Sequence, residues 1–417
     1  MNQATALTIG NHTVPDFFTI DDFDVENKTV LLRADLNVPV KDGQVSDNQR
    51  LVRLLPTLRD LSIRRAKIVI LSHFGRPKGQ EPDLSLRVVA QALEALWMEQ
   101  VAFADDCIGP TAEAAIAKLE AGQVLVLENT RFHAGEKAND PAFIKALASM
   151  GDLYINDAFS TAHRGEASTE GLTHYLPSGA GRLMQEELNA LTSALTTPDR
   201  PLAAVVGGSK ISTKLDLLNN LINKVDVLVL GGGMANTFLA AKGVAIGKSL
   251  SEPDMYDTAR QIMAKAEARG CTIMLPQDVV VATTLKAGIE TKIVSVHAVP
   301  EDMMILDLGP EAAQEIIGKI GTCKTLVWNG PLGAFEFKPF DNATNTVAAG
   351  VAELTKRGKL MSVAGGGDTV AAMANAGVTG SVSYLSTAGG AFLEWLEGKE
   401  LPAVVALRNA THSIKKA

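Results

Sequence analysis

Cysteine and aromatic residues are scarce in this 417-residue chain, and no long apolar or basic run occurs in it. The three cysteines, Cys107, Cys271 and Cys323, lie far apart and fit no CxxC or Cys/His ligand spacing, so neither a disulfide framework nor a cysteine-based metal knuckle is expected. They read as buried, reduced thiols of a cytoplasmic protein. Aromatics make up 5% of residues and leave few rings for stacking on bases. With 39 Lys+Arg against 47 Asp+Glu the formal charge is −8, which argues against a nucleic-acid scaffold or a membrane-surface binder. No apolar run approaches the roughly 18 residues of a membrane span. The N-terminus MNQATALTIGNHTVPDF lacks a basic segment followed by an apolar one, so export is not indicated.

What the chain does contain is a regular alternation. Short β-branched apolar runs at 29–35, 67–72, 101–104, 124–129 and 153–157 are followed by a second set at 202–207, 226–231, 272–276, 325–330, 360–366 and 382–387. Most are apolar throughout, as for strands buried on both faces, and between them lie segments of helical period such as Leu51–Arg64, Leu86–Trp97, Thr111–Ala121 and Pro141–Met150. The pattern predicts an α/β protein of two Rossmann-like lobes, each a mostly parallel sheet flanked by helices. Gly181–Pro198 separates the two sets with good helix formers that end in TTPDRP, the expected connecting helix and hinge. The predicted organisation is a first lobe at 1–184, the connection at 185–200, a second lobe at 201–400 and a tail at 401–417. Neither an internal repeat nor a low-complexity stretch is present.

Ligands of parallel α/β sheets bind beyond the carboxyl ends of the strands, so the residues there are the ones to read for chemistry. The first set of strands is followed by Asp35 and Asn37 in RADLNVPV with Arg50 opening the next helix, His73, Gly75 and Arg76 in SHFGRP, Glu128, Asn129, Arg131 and His133 in LENTRFH, and Asp157, His163 and Arg164 in NDAFSTAHRGEAS. Each arginine alone reads better as a solvated or ion-paired surface residue than as a ligand. Several together at strand ends point to a small, highly anionic metabolite, because the planar guanidinium holds phosphate or carboxylate bidentately. The second half offers glycines instead: GGSKISTK (207–214), GGGMANT (231–237), GGGDT (365–369) and STAGGA (386–391), all between a strand and a helix. Backbone N–H groups at such turns bind phosphate, although glycine also serves ordinary turns, and four in one half suggest a polyphosphate. GVAIGKS (243–249) is not a P-loop, since three residues rather than four separate its glycines and it follows a helical stretch. Neither a dinucleotide fingerprint nor a tight His/Glu metal spacing occurs. Asp368, at a predicted helix start, is the best ligand for a phosphate-held Mg²⁺, or else a plain helix cap.

Taken in order, RADLNVPV, SHFGRP, LENTRFH, NDAFSTAHR, GGSKISTK, GGGMANTF, VWNGPLGAFE and GGGDT closely resemble the phosphoglycerate kinase family, from about Asp16 to the C-terminus. That resemblance implies two lobes joined by a helix, with the C-terminal tail returning to the first. It implies reversible phosphoryl transfer from the acyl phosphate of 1,3-bisphosphoglycerate to Mg·ADP, giving 3-phosphoglycerate and ATP in glycolysis, in a cytoplasmic, monomeric enzyme. It further implies that Asp35, Asn37, Arg50, His73, Arg76, Arg131 and Arg164 bind the three-carbon substrate. The nucleotide would be held by Gly208, Ser209, Lys210, Lys214, Gly232, Gly233, Leu250, Gly309, Asn329, Pro331, Glu336, Gly365, Gly366, Gly367, Asp368 and Thr369. Glu336 would take the ribose and Asp368 the Mg²⁺, while Arg50, Lys210, Gly366 and Gly389 would serve the transferring group. A carboxylate oxygen as acceptor needs no general base, so domain closure, positioning and charge neutralisation would carry the catalysis.

Some residues depart from the family pattern. Gly165-Glu166-Ala167 follows Arg164 where Ala-His is usual, Ala388 replaces a glycine in STAGGA, Gln185 stands where Lys is frequent, and the first dozen residues precede the usual start, as an extension expected to be disordered. Glu166 is expected to place a negative charge near the substrate. A competing class, a non-catalytic two-lobed metabolite-binding protein, would not need Lys210, Lys214 and Asp368 beside the glycine turns.

Overall fold

A computed structural model describes residues 17–414, so the first dozen residues, with the expectation placed on them, lie outside the described residues. The chain divides into two compact units: residues up to Glu187 together with those from Glu400 onward, and Leu188–Lys399.

In the first unit, β1 (Thr29–Arg33), β2 (Lys67–Leu71), β3 (Val101–Ala104), β4 (Val124–Leu127), β5 (Leu153–Asn156) and β6 (Ser178–Ala180) form one parallel sheet in the order β3-β4-β2-β1-β5-β6. The unbroken apolar character of β1 follows from this position. Val30 and Leu32 enter the cluster on one face, with Leu51, Leu54 and Leu58 of helix Gln49–Ile63, while Leu31 enters the other with Phe143, Ile144 and Leu147 of helix Pro141–Ala148. Strand order reverses between β1 and β5, which creates the crevice where the polar segments after both strands meet.

The second unit repeats the plan. β7 (Leu202–Val206), β8 (Val227–Leu230), β9 (Thr272–Met274), β13 (Thr325–Asn329), β14 (Met361–Gly365) and β15 (Tyr384–Ser386) form a parallel sheet ordered β9-β8-β7-β13-β14-β15, with its reversal between β7 and β13. A small antiparallel sheet, β11-β10-β12, is built from β10 (Asp278–Ala282), β11 (Lys292–Ser295) and β12 (Met304–Leu308).

Every apolar run read as a strand forms one, but the sequence pattern missed β6, the three-stranded antiparallel sheet and a short antiparallel hairpin that pairs Val40–Lys41 with Gln44–Val45. Ser178–Ala180 has no β-branched residue and is a strand because its neighbours make it one: Tyr154 N–H donates to the Pro177 carbonyl at 2.9 Å and Ala180 N–H to that of Phe18 at 2.8 Å. β11 is largely exposed, so it lacks the apolar signature of the central strands.

Helix Arg182–Leu191 follows β6 and continues through a π-helical turn, Thr192–Thr196. Its N-terminus is clamped. Arg182 donates to Asp60 at 2.7 Å and to Asp21 at 2.6 and 2.7 Å, while Asp157 Oδ1 accepts from Leu183 N at 2.8 Å and Met184 N at 3.1 Å. Burial pushes the Asp157 carboxyl up to about 7, against the backbone donors that favour its charged form. Folded Asp157 therefore holds a proton that the unfolded chain releases near its ordinary value of 3.8, and its contribution to stability falls as pH rises from about 4 to about 7. Asp157→Asn should remove that slope, so that urea midpoints of variant and wild type, compared from pH 5 to 8, diverge in the variant's favour by on the order of a few kcal/mol. A pH-independent difference would refute the assignment.

Candidate active site: an arginine cluster and a glycine cradle

In the first unit the strand-end residues join into one hydrogen-bonded network. Asp35 follows β1 and pairs with Arg50 of the next helix (Oδ2 to Nη1, 2.8 Å), whose Nη1 also donates to the Asn37 carbonyl at 2.7 Å. Asn37 Oδ1 accepts from Gly75 N–H at 2.9 Å, and the Gly75 carbonyl accepts from Arg131 Nη1 at 3.0 Å. The network thus ties the ends of β1, β2 and β4 together, and the segment after β5 adds Arg164, whose Nη1 lies 3.4 Å from His73 Nε2. Arg76 is exposed and makes no hydrogen bond or ion pair among the described residues. It remains available to a ligand.

His73 reports the field that this arrangement produces. Its ring is 2% exposed, and burial together with the guanidinium groups of Arg33, Arg131, Arg164 and Arg50 holds its basicity far below the usual imidazole range. Arg33 Nη2 sits 3.1 Å from Nδ1, and because an arginine only donates, Nδ1 must accept. A neutral imidazole accepts at one nitrogen only, and Arg33 makes the shorter contact, so the hydrogen of His73 lies on Nε2, facing Arg164 at 3.4 Å without a bond between them, where an incoming anion oxygen could receive both.

Sequence reasoning missed Arg33. This wholly buried side chain ends β1, donates from Nε to Ser168 Oγ at 2.8 Å, and is bonded through Nη1 to the Ala34 carbonyl. Ser168 in turn is held by the buried carboxylate of Glu136, through its hydroxyl and through its N–H at 3.1 Å. The chain Glu136–Ser168–Arg33–His73 fixes the imidazole from behind. The local signal was the Arg that closes an otherwise apolar strand in RAD, but Ser168, which holds its Nε, is 135 residues away in sequence.

Glu166 lies beside one of the arginines. It pairs with Arg131 (Oε1 to Nη2, 2.7 Å), both side chains being under one-tenth exposed, and Arg131 Nε and Glu166 Oε2 are buried without a partner. This acid offsets one positive charge of the cluster. His133, in contrast, does not join the arginines: its Nε2 contacts Asp106 Oδ1 at 2.7 Å and its ring stacks on Phe143.

In the second unit the glycine turns meet at the reversal between β7 and β13. Gly207 and Gly208 follow β7, and Asn329, Gly330 and Pro331 close β13 and continue from it. The two turns pass so closely that a Cβ on Gly207 would lie 1.7 Å from the Pro331 carbonyl oxygen, and one on Gly330 would lie 2.3 Å from that of Gly207. Lys214 locks the crossing, its Nζ donating to the Gly207 carbonyl (2.7 Å), Asn329 Oδ1 (2.8 Å) and the Asn329 carbonyl (3.3 Å). Burial lowers this ammonium to about 8, with Asp368 opposing, so it remains charged at neutral pH.

Further contacts bring in the other turns. Asn329 Nδ2 donates to the Gly365 carbonyl at 2.9 Å, Gly330 N–H donates to Thr369 Oγ1 at 2.7 Å, and Met234 N–H donates to the Gly208 carbonyl at 3.0 Å. Gly232 packs on Gly208, and Gly233 packs on Ser209 and on Leu250, a leucine left 54% exposed. Gly366 caps helix Gly367–Asn375 with φ +99°, which a side chain would strain. Lys210, Glu336 and Asp368 are exposed around this cradle, and their side chains make no hydrogen bond or ion pair among the described residues.

Two predicted residues sit apart from these contacts. Gly309 opens helix Pro310–Ile320 against the carboxylate of Asp278, which accepts from Glu311 N at 3.1 Å and Ala312 N at 2.7 Å, a packing reason for glycine there. Gly389 opens helix Gly390–Leu396, with Ala388 buried just before it. Gln185 accepts from Arg182 at 3.0 Å, within the clamp on the connecting helix.

Comparison with known proteins bears on this pair of clusters. A family model described as phosphoglycerate kinase matches residues 20–399. The phosphoglycerate kinase of Rhodospirillum centenum is 62% identical over 393 residues, covering 94% of this chain and 99% of the relative. That of Xanthobacter autotrophicus is 59% identical over 392 residues, with the same coverage of 94% and 99%. Among solved structures, phosphoglycerate kinase from Coxiella burnetii superposes with a TM-score of 0.88 at 41% identity, covering 94% of this chain and 99% of that one.

Proposed function

The chain belongs to the phosphoglycerate kinase family, and we propose that its two polar clusters are the two halves of that kinase's active site. The arginine cluster takes 3-phosphoglycerate or 1,3-bisphosphoglycerate through Asp35, Asn37, Arg50, His73, Arg76, Arg131 and Arg164. The glycine cradle takes ADP or ATP. The observation that carries the reading is the gathering of arginines at His73: an imidazole kept neutral by burial, with Arg33 at 3.1 Å and Arg164 at 3.4 Å and with Arg131 and Arg50 adding to the field, marks a site arranged for a polyanion.

In the cradle, backbone N–H groups at helix starts, together with Lys214 and Lys210, face phosphate. Exposed Leu250 beside Gly233 offers an apolar surface for a base, and Glu336 an acceptor for a ribose hydroxyl. Asp368 is an unpaired hard oxygen ligand in the first turn of helix Gly367–Asn375, which suits Mg²⁺ shared with phosphate oxygens. When bound, that ion would neutralise charge on the nucleotide. The chain's own residues do the rest. Asp35 and the Asn37 carbonyl aim Arg50, His73 donates from Nε2, and Gly366 and Gly389 present N–H groups to the equatorial oxygens of the transferring group. No base is needed, because the accepting oxygen is already a carboxylate. Exclusion of water from the bound ligands would keep the acyl phosphate from hydrolysis.

Each chain carries both halves, so we take one chain to be the working unit. Three free, buried cysteines support a cytoplasmic location, and no helix among the described residues is long and apolar enough to cross a membrane.

Calorimetric titration separates the halves. Arg164→Ala should abolish binding of 3-phosphoglycerate and leave Mg·ADP affinity within about twofold, and Asp368→Asn should do the reverse by weakening Mg·ADP alone. Loss of both ligands in either correctly folded variant would overturn the division.

A further inference from the structure

His133 leaves the arginine cluster for a different set of partners, and that set has a chemistry of its own. Asp106 and Cys107 lie just beyond β3, and His133 lies in the turn beyond β4, so two neighbouring strand ends bring a carboxylate, a thiol and an imidazole together. One ligand atom from each lies within 4.8 Å of the others. Neither catalysis nor ligand binding, as described above, uses any of the three.

We propose that Asp106, Cys107 and His133 form a binding site for a single zinc ion, with water in the fourth position. Sulfur, imidazole nitrogen and carboxylate oxygen are the donors that zinc accepts at about 2.0–2.3 Å in tetrahedral geometry. Such a sphere places neighbouring ligand atoms about 3.3–3.8 Å apart, so the His133–Asp106 contact opens by less than an ångström. The site is partly arranged already. Cys107 N–H donates to Asp106 Oδ1 at 2.7 Å and fixes the carboxylate beside the thiol, and His133 is steadied by its stack on Phe143. Access is provided as well, since the His133 and Asp106 side chains are 26% and 34% exposed and a surface hollow lined by Ile108, His133, Asp140 and Phe143 adjoins them.

The charge environment favours a cation, since the carboxyl groups of Glu136 and Glu128 lie close enough to the buried Cys107 to act on it in addition to Asp106. On binding, the S–H bond breaks, its proton passes to solvent and the sulfur lone pair forms the bond to zinc, with no change of oxidation state.

Cobalt(II) substitution tests the site in the full-length protein, because only a thiolate ligand gives an intense near-ultraviolet charge-transfer band. The expected result is one equivalent of Co²⁺ with that band, displaced by one equivalent of Zn²⁺, and an increase in melting temperature on adding Zn²⁺ that a chelator reverses. Cys107→Ser should lose the band, and His133→Ala and Asp106→Asn should each weaken binding at least tenfold, while Cys271→Ser keeps it. Circular dichroism checks that each variant is folded, and Asp106→Asn, which preserves size and an acceptor oxygen, serves if the others are not. Binding without the band would assign the ion to an oxygen site such as Asp368. No binding, or a band that survives Cys107→Ser, would equally refute the proposal.

Discussion

Replacing Arg50 with alanine is expected to lower kcat by about 10³-fold or more, while KM for 3-phosphoglycerate changes by only about a few-fold. The guanidinium is aimed before any ligand arrives, by Asp35 at 2.8 Å and the Asn37 carbonyl at 2.7 Å, yet its side chain stays 40% exposed and keeps N–H groups free. A donor already in place needs no reorganisation as charge spreads over the equatorial oxygens, so its contribution falls on the transition state rather than on the bound substrate. Lys210→Ala should lose kcat on the same scale. Its side chain is exposed and unpaired among the described residues, so removing it disturbs no packing there and the loss would be kinetic alone. Steady-state rates in both directions decide the matter: kcat near wild type with only KM raised, in either variant, would remove that residue from the transferring centre.

The overall charge of −8 and the field at His73 have opposite signs. Both follow from where the charges lie. Acidic residues are spread along the whole chain, whereas Arg33, Arg50, Arg131 and Arg164 are gathered at the strand ends of a single sheet and partly shielded from water. At short range in a medium that screens poorly, a few guanidinium groups outweigh a larger number of distant carboxylates. Two carboxylates enter the cluster, Asp35 paired with Arg50 and Glu166 with Arg131, and they trim this field without reversing it.

Much of this was legible because a parallel sheet concentrates chemistry in one kind of place. Once the apolar runs are read as strands buried on both faces, the residues that follow them name Asp35, His73, Arg131 and Arg164 directly, and the glycine turns of the other half appear by the same rule. What escaped depends on contacts distant in sequence. Arg33 reads as a strand residue until Ser168 and Glu136 arrive behind it, and Ser178–Ala180 has no strand character apart from Tyr154 and Phe18. His133 shows the rule failing in the other direction. It follows a strand as the arginines do, but β4 stands next to β3, whose end supplies Asp106 and turns the imidazole away.

Gly207→Ala should cost about 3 kcal/mol or more of stability and abolish nucleotide binding together with it. The added methyl would lie 1.7 Å from the Pro331 carbonyl oxygen, and because the obstacle is backbone, no side-chain rotation can relieve it. Relief requires the ends of β7 and β13 to separate. Those ends are joined in register, Val206 opposite Asn329, with Gly207 N–H bonded to the Asn329 carbonyl at 3.0 Å. Separation also pulls apart the Gly207 and Asn329 acceptors that hold buried Lys214, leaving an ammonium without its partners. Gly330→Ala applies the same strain from the opposite turn and should behave alike, while Gly367→Ala, with nothing within 4 Å of its added methyl, should remain near wild type in stability. Urea midpoints and Mg·ADP affinities of the three variants give the answer. A Gly207→Ala protein with wild-type stability would mean that the two turns are not in contact, and one that lost stability but kept nucleotide affinity would mean that the crossing supports the fold without forming the cradle.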